Sequence, residues 1–253
     1  MQIAERHAFI LKQLQQRGAV SVAALSEDMG VTMVTVRKDL KALEEQGVLL
    51  RSHGGASLPN AFVSDRPIDE KMQIRVAEKQ RIAARAVELI EPDEAIIIGS
   101  GTTVRAFAQA IPASAKLTVL TGAMNVTLAL INHPLVEIVQ LGGTVRKSSA
   151  SVVGHYSEAM LRDFACRKLF LSVDGISADF GLTTSNMMEA HLNMQMIQAV
   201  PQAIVLADSG KFGKKGFGKI CNLSQVHTII TDDGLPAAYR QDIEQSGVEL
   251  IIA

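Results

Sequence analysis

The sequence predicts a chain in two parts: an N-terminal winged helix-turn-helix, then an α/β domain built on a Rossmann-like, largely parallel sheet. Three observations carry this. Residues 21–55 hold two short apolar-periodic helices separated by a glycine, with a hairpin behind them. From Pro92 onward, short apolar runs alternate with helix-length segments, the pattern of strands and crossover helices. Between the two lies S-L-P-N-A-F-V-S-D-R, a Pro-, Asn- and Ser-containing stretch that reads as a joint.

The first helix, Ile3 to Gln16, turns Ile10, Leu11 and Leu14 inward. Ser21 caps the second, its hydroxyl accepting an N–H of the first turn. Val22, Leu25 and Met29 form its apolar face, and Gly30 ends it through a positive φ. Thr32 caps the third helix, whose buried stripe is Val36, Leu40 and Leu43. Gly47 ends that helix, Val48-Leu49-Leu50 is β-compatible, and His53-Gly54-Gly55 makes the turn of a wing. The outer face of the third helix carries Met33, Thr35, Arg37, Lys38 and Lys41. A helix fits the major groove of DNA by width. Arg37, Lys38 and Lys41 would meet phosphates or guanine edges, and Thr35 a base edge or a thymine methyl. An ordinary helix pair with a solvated charged face is the alternative. The run T-x-x-T-V-R-K-D-L followed by G-V-L-L-R-S-H-G-G-A favours DNA, with Thr32, Arg51 and His53 joining the candidate DNA-binding residues.

The joint is expected over residues 58–73, with a helix over Ile68 to Ile90. Expected strands are Ala95–Ile98, Leu117–Thr121, Val136–Leu141, Lys168–Val173, Ala203–Ala207, Thr228–Thr231 and Val248–Ile252. Ligands of such sheets bind at the carboxyl ends of strands. There Gly99-Ser100-Gly101-Thr102-Thr103 leads into a helix, either an anion cradle of N–H groups and hydroxyls or a plain turn that needs glycine. It is neither a Walker motif nor G-x-G-x-x-G, so no nucleotide or other cofactor is indicated. Further strand ends supply Thr121, then Gly142, Gly143 and Arg146, then Asp174, then Lys211. A sugar phosphate needs that mixture: N–H groups and cations for phosphate, carboxylates for hydroxyls. Ser100, Gly101, Thr102 and Thr103 would hold the phosphate with Lys211 beside them, while Asp174 and Glu189 order hydroxyls. Asp174 reads equally well as a turn carboxylate, and Glu189 as a solvated acid in the first turn of a helix. No metal-ligand or catalytic constellation stands out.

These residues resemble the DeoR family of bacterial sugar-regulon repressors. The match begins at Arg6 and Ile10. It runs through Thr32, Thr35, Val36, Arg37, Asp39 and Leu40 to Arg51, His53, Gly54, Gly55 and Ala56. E-K-Q-R-I-A-A-R-A-V-E-L-I and the glycine-rich strand ends extend it over nearly the whole chain. The resemblance implies a winged helix-turn-helix over residues 1–57 and a ribose-phosphate-isomerase-like sensor over residues 74–253. It implies a repressor of a sugar catabolic operon, of the sugar-alcohol or amino-sugar type, released from double-stranded operator DNA by a phosphorylated sugar. The sequence departs from the family at Gly99, where an acid is usual, and at Ser172, where glycine is common. His191, Met194 and Gln195 stand where relatives often place basic residues. The competing reading is a sugar-phosphate isomerase fused to a DNA-binding module. Asp174-Gly175-Ile176-Ser177-Ala178-Asp179 faintly resembles the isomerase's D-G-A-D-E, but Phe180 replaces the final acid.

Composition narrows the partners. A 253-residue chain that is 47% hydrophobic suits a small reader and a larger sensor. A net charge of −1 excludes a general electrostatic glue for nucleic acid. DNA binding must rest on where the cations sit and on doubling the reader, so a homo-oligomer, dimer or tetramer, is expected. With no Trp and 4% aromatic residues, single-strand stacking platforms are disfavoured. Cys166 and Cys221 form no C-x-x-C and read as buried residues in a reducing compartment. No apolar run approaches the roughly 20 residues that span a bilayer, and Met1 to Leu11 is no signal peptide, so a cytoplasmic protein with no membrane partner is expected.

Overall fold

The computed structural model describes residues 2–17, 19–45, 49–52, 54–57 and 65–253. The chain divides into two units, Met1–Phe62 and Val63–Ala253.

The smaller unit runs α1 (Ile3–Arg17), β1 (Ala19–Ser21), α2 (Val22–Met29), α3 (Met33–Glu45), β2 (Leu50–Ser52) and β3 (Gly55–Ser57). Ser21 accepts the Ala24 N–H at 3.1 Å and caps α2. Gly30 closes that helix in the left-handed region at φ 63°. Ile10, Leu14, Leu25, Val36, Leu40, Leu43 and Leu49 form its buried core. One feature was not legible: β1 adds a third, antiparallel strand to the wing, giving the order β1-β3-β2. Gly55 is required where those strands meet, because a Cβ there would lie 1.9 Å from the Val20 carbonyl oxygen.

The larger unit opens with α4 (Ile68–Met72) and α5 (Val76–Val87). Then follow β4 (Glu94–Ile98), α6 (Thr102–Ala110), β5 (Leu117–Thr121), α7 (Met124–Leu130), β6 (Val136–Gln140), β7 (Thr144–Arg146), β8 (Ser151–Val153) and α8 (His155–Leu161). The remainder is β9 (Lys168–Leu171), β10 (Gly175–Ser177), β11 (Gly181–Thr184), α9 (Met187–Gln198), β12 (Gln202–Leu206), β13 (Gly218–Cys221), β14 (Thr228–Thr231), α10 (Ala237–Gln245) and β15 (Glu249–Ile252). Seven strands form one sheet in the order β15-β14-β12-β9-β4-β5-β6, and each neighbouring pair is parallel. Successive side chains alternate between two cores, as the strand period of two requires. Ile97, Leu169, Leu171 and Val205 enter one. Ile96, Ile98, Phe170 and Ile204 enter the other, where Phe107 stacks on Phe170 at 4.3 Å between ring centroids.

Two expectations about the entry to this unit are corrected. Residues 65–73, expected to be joint, are packed into it: Ile68 N–H donates to the Ser148 carbonyl at 2.8 Å. The single helix expected over residues 68–90 is broken at Arg75, which takes φ 51°. That turn carries the Arg75 guanidinium to Ser209 Oγ at 3.0 Å and Asp208 at 3.5 Å. Among the described residues no helix is long and apolar enough to cross a membrane.

Candidate functional site

In the smaller unit, Met33, Val34, Arg37, Lys38 and Lys41 are exposed on α3, while Val36, Asp39 and Leu40 face inward. A helix that buries its i, i+3 and i+4 positions leaves the opposite stripe for a groove. The Thr32 hydroxyl accepts the Thr35 N–H at 3.3 Å and lies 3.0 Å from the Thr35 hydroxyl, so it caps α3 and orients its neighbour. Arg51 sits on the wing strand β2, 3.6 Å from Glu44. His53 lies outside the described residues. Sequence reasoning passed over Val34, 60% exposed and on the same stripe as Lys38 and Lys41, where its methyls suit a thymine methyl.

Behind the stripe, Asp39 makes a two-pronged ion pair with Arg6, at 2.6 Å to Nε and 2.9 Å to Nη2, with His7 at 3.4 Å. The Arg6 hydrogen bond holds the Asp39 carboxyl below the usual carboxylate range. The pair fixes α3 against α1. Arg6 and Asp39 are 33 residues apart, so only the fold reveals it.

In the larger unit the chain leaves β4 for β5 and β6 on one side, then returns to β9, β12, β14 and β15 on the other. The strand order therefore reverses between β4 and β9, where loops part and leave a crevice. The crevice is lined by Ser100, Gly101, Thr102 and Thr103 after β4, Asp174 after β9, Lys211 after β12, Arg146 from the β7–β8 hairpin and Glu189 from α9. Lys71 and Ile68 of α4, Ser149, Ser172, Val173 and Thr184 complete it.

Helix geometry leaves the N–H groups of Thr102 and Thr103 without an intrahelical acceptor at the positive end of α6. Gly101 turns into that helix at φ 132°, and a Cβ on it would lie 2.7 Å from the Ser172 Cβ. Ser172 Oγ takes the next N–H, that of Val104, at 3.3 Å, so this serine closes one cradle position. A Cβ at Gly99 would lie 2.8 Å from the Leu171 Cδ1, so a side chain there needs only that leucine to shift.

Facing the cradle is a charged network. Asp174 accepts Lys71 Nζ at 2.8 Å, the Ser185 N–H at 3.1 Å and the Thr184 hydroxyl at 3.1 Å, with Lys211 Nζ at 3.8 Å. Burial alone would raise the Asp174 pKa, but Lys71 and Lys211 hold it at about 2. Burial raises Glu189, against the opposing pull of the Ser100 hydroxyl and Arg146. The result is two carboxyls and three cations around an N–H cradle, which can grip an anion and order hydroxyls next to it.

Thr121, Gly142 and Gly143 do not line the crevice. Thr121 is fully buried, donating to the Ile98 carbonyl at 2.6 Å and accepting the Ala123 N–H at 3.1 Å. Gly142 and Gly143 form the turn into β7, where the Gly142 carbonyl accepts Ser157 Oγ at 2.7 Å and a Cβ on Gly143 would strike that oxygen. His191 points away and sits 3.5 Å from Glu158. Met194 and Gln195 are also absent from the lining. Asp179, the second acid of the isomerase-like string, is exposed, pairs with Lys215 at 2.6 Å and does not line the crevice. Lys71 was missed, because nothing in a short polar helix 103 residues before Asp174 marks their pairing.

Two family models match the chain: a DeoR-like helix-turn-helix domain over residues 6–62 and a DeoR C-terminal sensor domain over residues 74–233. A protein of Escherichia coli O157:H7, described as a candidate transcriptional repressor of the aga operon, is 36% identical over 250 residues, covering 98% of this chain and 93% of that one. The lactose phosphotransferase system repressor of Staphylococcus epidermidis is 34% identical over 227 residues, covering 88% and 90%. Among solved structures, ribose 5-phosphate isomerase A from Neisseria gonorrhoeae aligns over 53% of this chain and 52% of its own at 16% identity, with a TM-score of 0.39.

Proposed function

The chain belongs to the DeoR family of transcriptional regulators and is not an enzyme, and from that premise we propose that it represses a sugar catabolic operon and leaves its operator when a phosphorylated sugar enters the crevice. Relatives named for the aga operon and for lactose uptake support a sugar regulon. The observation that carries the effector is the crevice itself: open N–H groups and hydroxyls at Thr102 and Thr103, ringed by Lys71, Lys211 and Arg146, with Asp174 and Glu189 set for hydroxyls. The phosphate sits on the start of α6 and the sugar extends toward β9 and α9. The exposed stripe of α3 enters the major groove, and the reader is doubled in a cytoplasmic homo-oligomer.

A thermal-shift screen against phosphorylated hexoses, amino sugars and hexitols tests this. A ligand at 100 times its dissociation constant adds about 2.7 kcal/mol to native stability, which is about 5–10 °C for a unit of this size. Thr102→Glu places a carboxylate in the cradle and should remove the shift while leaving DNA binding intact. An unchanged ligand affinity in that variant would overturn the assignment.

A further inference from the structure

One cation of the crevice wall, Arg146, is already bound by a carboxylate that the chain itself supplies from outside the lining. Asp65 lays its Oδ1 against Arg146 Nη2 and accepts Ser148 Oγ at 3.0 Å and Ser185 Oγ at 3.2 Å. The other limb of the Arg146 guanidinium is taken by Glu189 at 2.8 Å. Both prongs of the cation are therefore committed. The stretch that follows Asp65 is fastened to the same wall. Ile68 N–H donates to the Ser148 carbonyl at 2.8 Å, and Lys71 Nζ reaches Asp174 at 2.8 Å. The buried Lys79 ammonium closes the far end, donating to the carbonyls of Lys71 and Ile74 at 2.6 Å each. Residues 65–72 thus form a strap held at one end by Arg146, and carrying in Lys71 a second cation, that an anionic ligand would also use.

We infer that Asp65 is a built-in competitor anion: a ligand entering the crevice takes Arg146 from it, and that exchange loosens the strap through which the chain enters the sensor from the DNA-reading unit. This rests on the phosphosugar reading above. Of the two carboxyls on Arg146, Asp65 is the one that can leave. Its side chain is 43% exposed, so water takes over its lone pairs, whereas the Glu189 side chain is 10% exposed and would be stranded. A phosphate, with more charge and three acceptor oxygens, outcompetes a single carboxylate for a guanidinium. Binding that must first displace Asp65 is weakened by the fraction of molecules already latched.

The test uses the full chain, wild type and Asp65→Asn, with inorganic phosphate as probe at constant ionic strength. Calorimetry gives the affinity, and hydrogen exchange read by mass spectrometry reports on residues 65–73. Asp65→Asn should bind phosphate about three- to tenfold tighter. Its strap amides should exchange faster without ligand, and phosphate should speed the same amides in the wild type. Equal phosphate affinity in the two proteins, or strap exchange slowed by phosphate, would overturn the latch and leave the anion crevice standing. If neither protein binds phosphate, the anion reading falls and takes the latch with it.

Discussion

Asp174→Asn tests whether the crevice is held together by charge. Every group that bonds to the Asp174 carboxylate is a donor: Lys71, Lys211, the Ser185 N–H and the Thr184 hydroxyl. The asparagine amide would turn an NH2 toward at least one of them and lose both ion pairs. The size of the effect follows from the pKa, about 2 in the fold against an ordinary 3.8. At 1.36 kcal/mol per pH unit, that difference contributes about 2 kcal/mol to stability at neutral pH. Because the folded-state pKa is depressed, the contribution is fully present above the unfolded value and is lost as pH falls from there through about 2. About half should be gone near pH 3. Wild type and variant are compared by urea and thermal unfolding at pH 7 and at about pH 3. The expected gap is about 2 kcal/mol, or about 4–8 °C, at pH 7, shrinking by roughly half in acid. No gap at pH 7, or the same gap at both values, would refute the electrostatic reading.

Two further outcomes concern the DNA-reading unit. Gly55→Ala drives a Cβ to 1.9 Å from the Val20 oxygen, so the wing should lose about 3 kcal/mol or more. DNA binding should fail while ligand binding to the larger unit persists; intact DNA binding would contradict the packing described. Arg37→Ala and Lys38→Ala should each weaken DNA binding and lower the slope of log affinity against log salt by about 0.9, measured by fluorescence anisotropy. An unchanged slope would remove that side chain from the phosphate contacts.

The main sheet was legible because each strand is a short apolar run bounded by turn residues, with no competing helical period. Ile96 to Ile98 and Ile204 to Leu206 are buried on both faces, and such runs read as strands of a parallel sheet. The helix caps Ser21 and Thr32 were legible because capping is local chemistry. Apart from the wing hairpin, which its glycine turn marked, the antiparallel pieces were not. β1, β7, β8 and β10 span three residues each, too few for a period to show. The break at Arg75 escaped notice because it is held by contacts with Asp208 and Ser209, far along the chain. The same limit applies to the crevice. The loop after β4 could be recognised as a short glycine-and-hydroxyl string, whereas Lys71, Asp65 and the Arg6–Asp39 pair are long-range pairings with no local signature. Glycine at a strand end serves a tight turn as readily as a ligand contact, and Gly142 and Gly143 are turns.

The most direct measurement is the affinity of the protein for a DNA fragment it selects from genomic DNA, taken with and without the sugar phosphate that most stabilises it. The expected result is at least a tenfold loss of DNA affinity with ligand, about 1.4 kcal/mol of coupling between the two sites, and no loss in Thr102→Glu. A ligand that fills the crevice and leaves DNA affinity unchanged would contradict it.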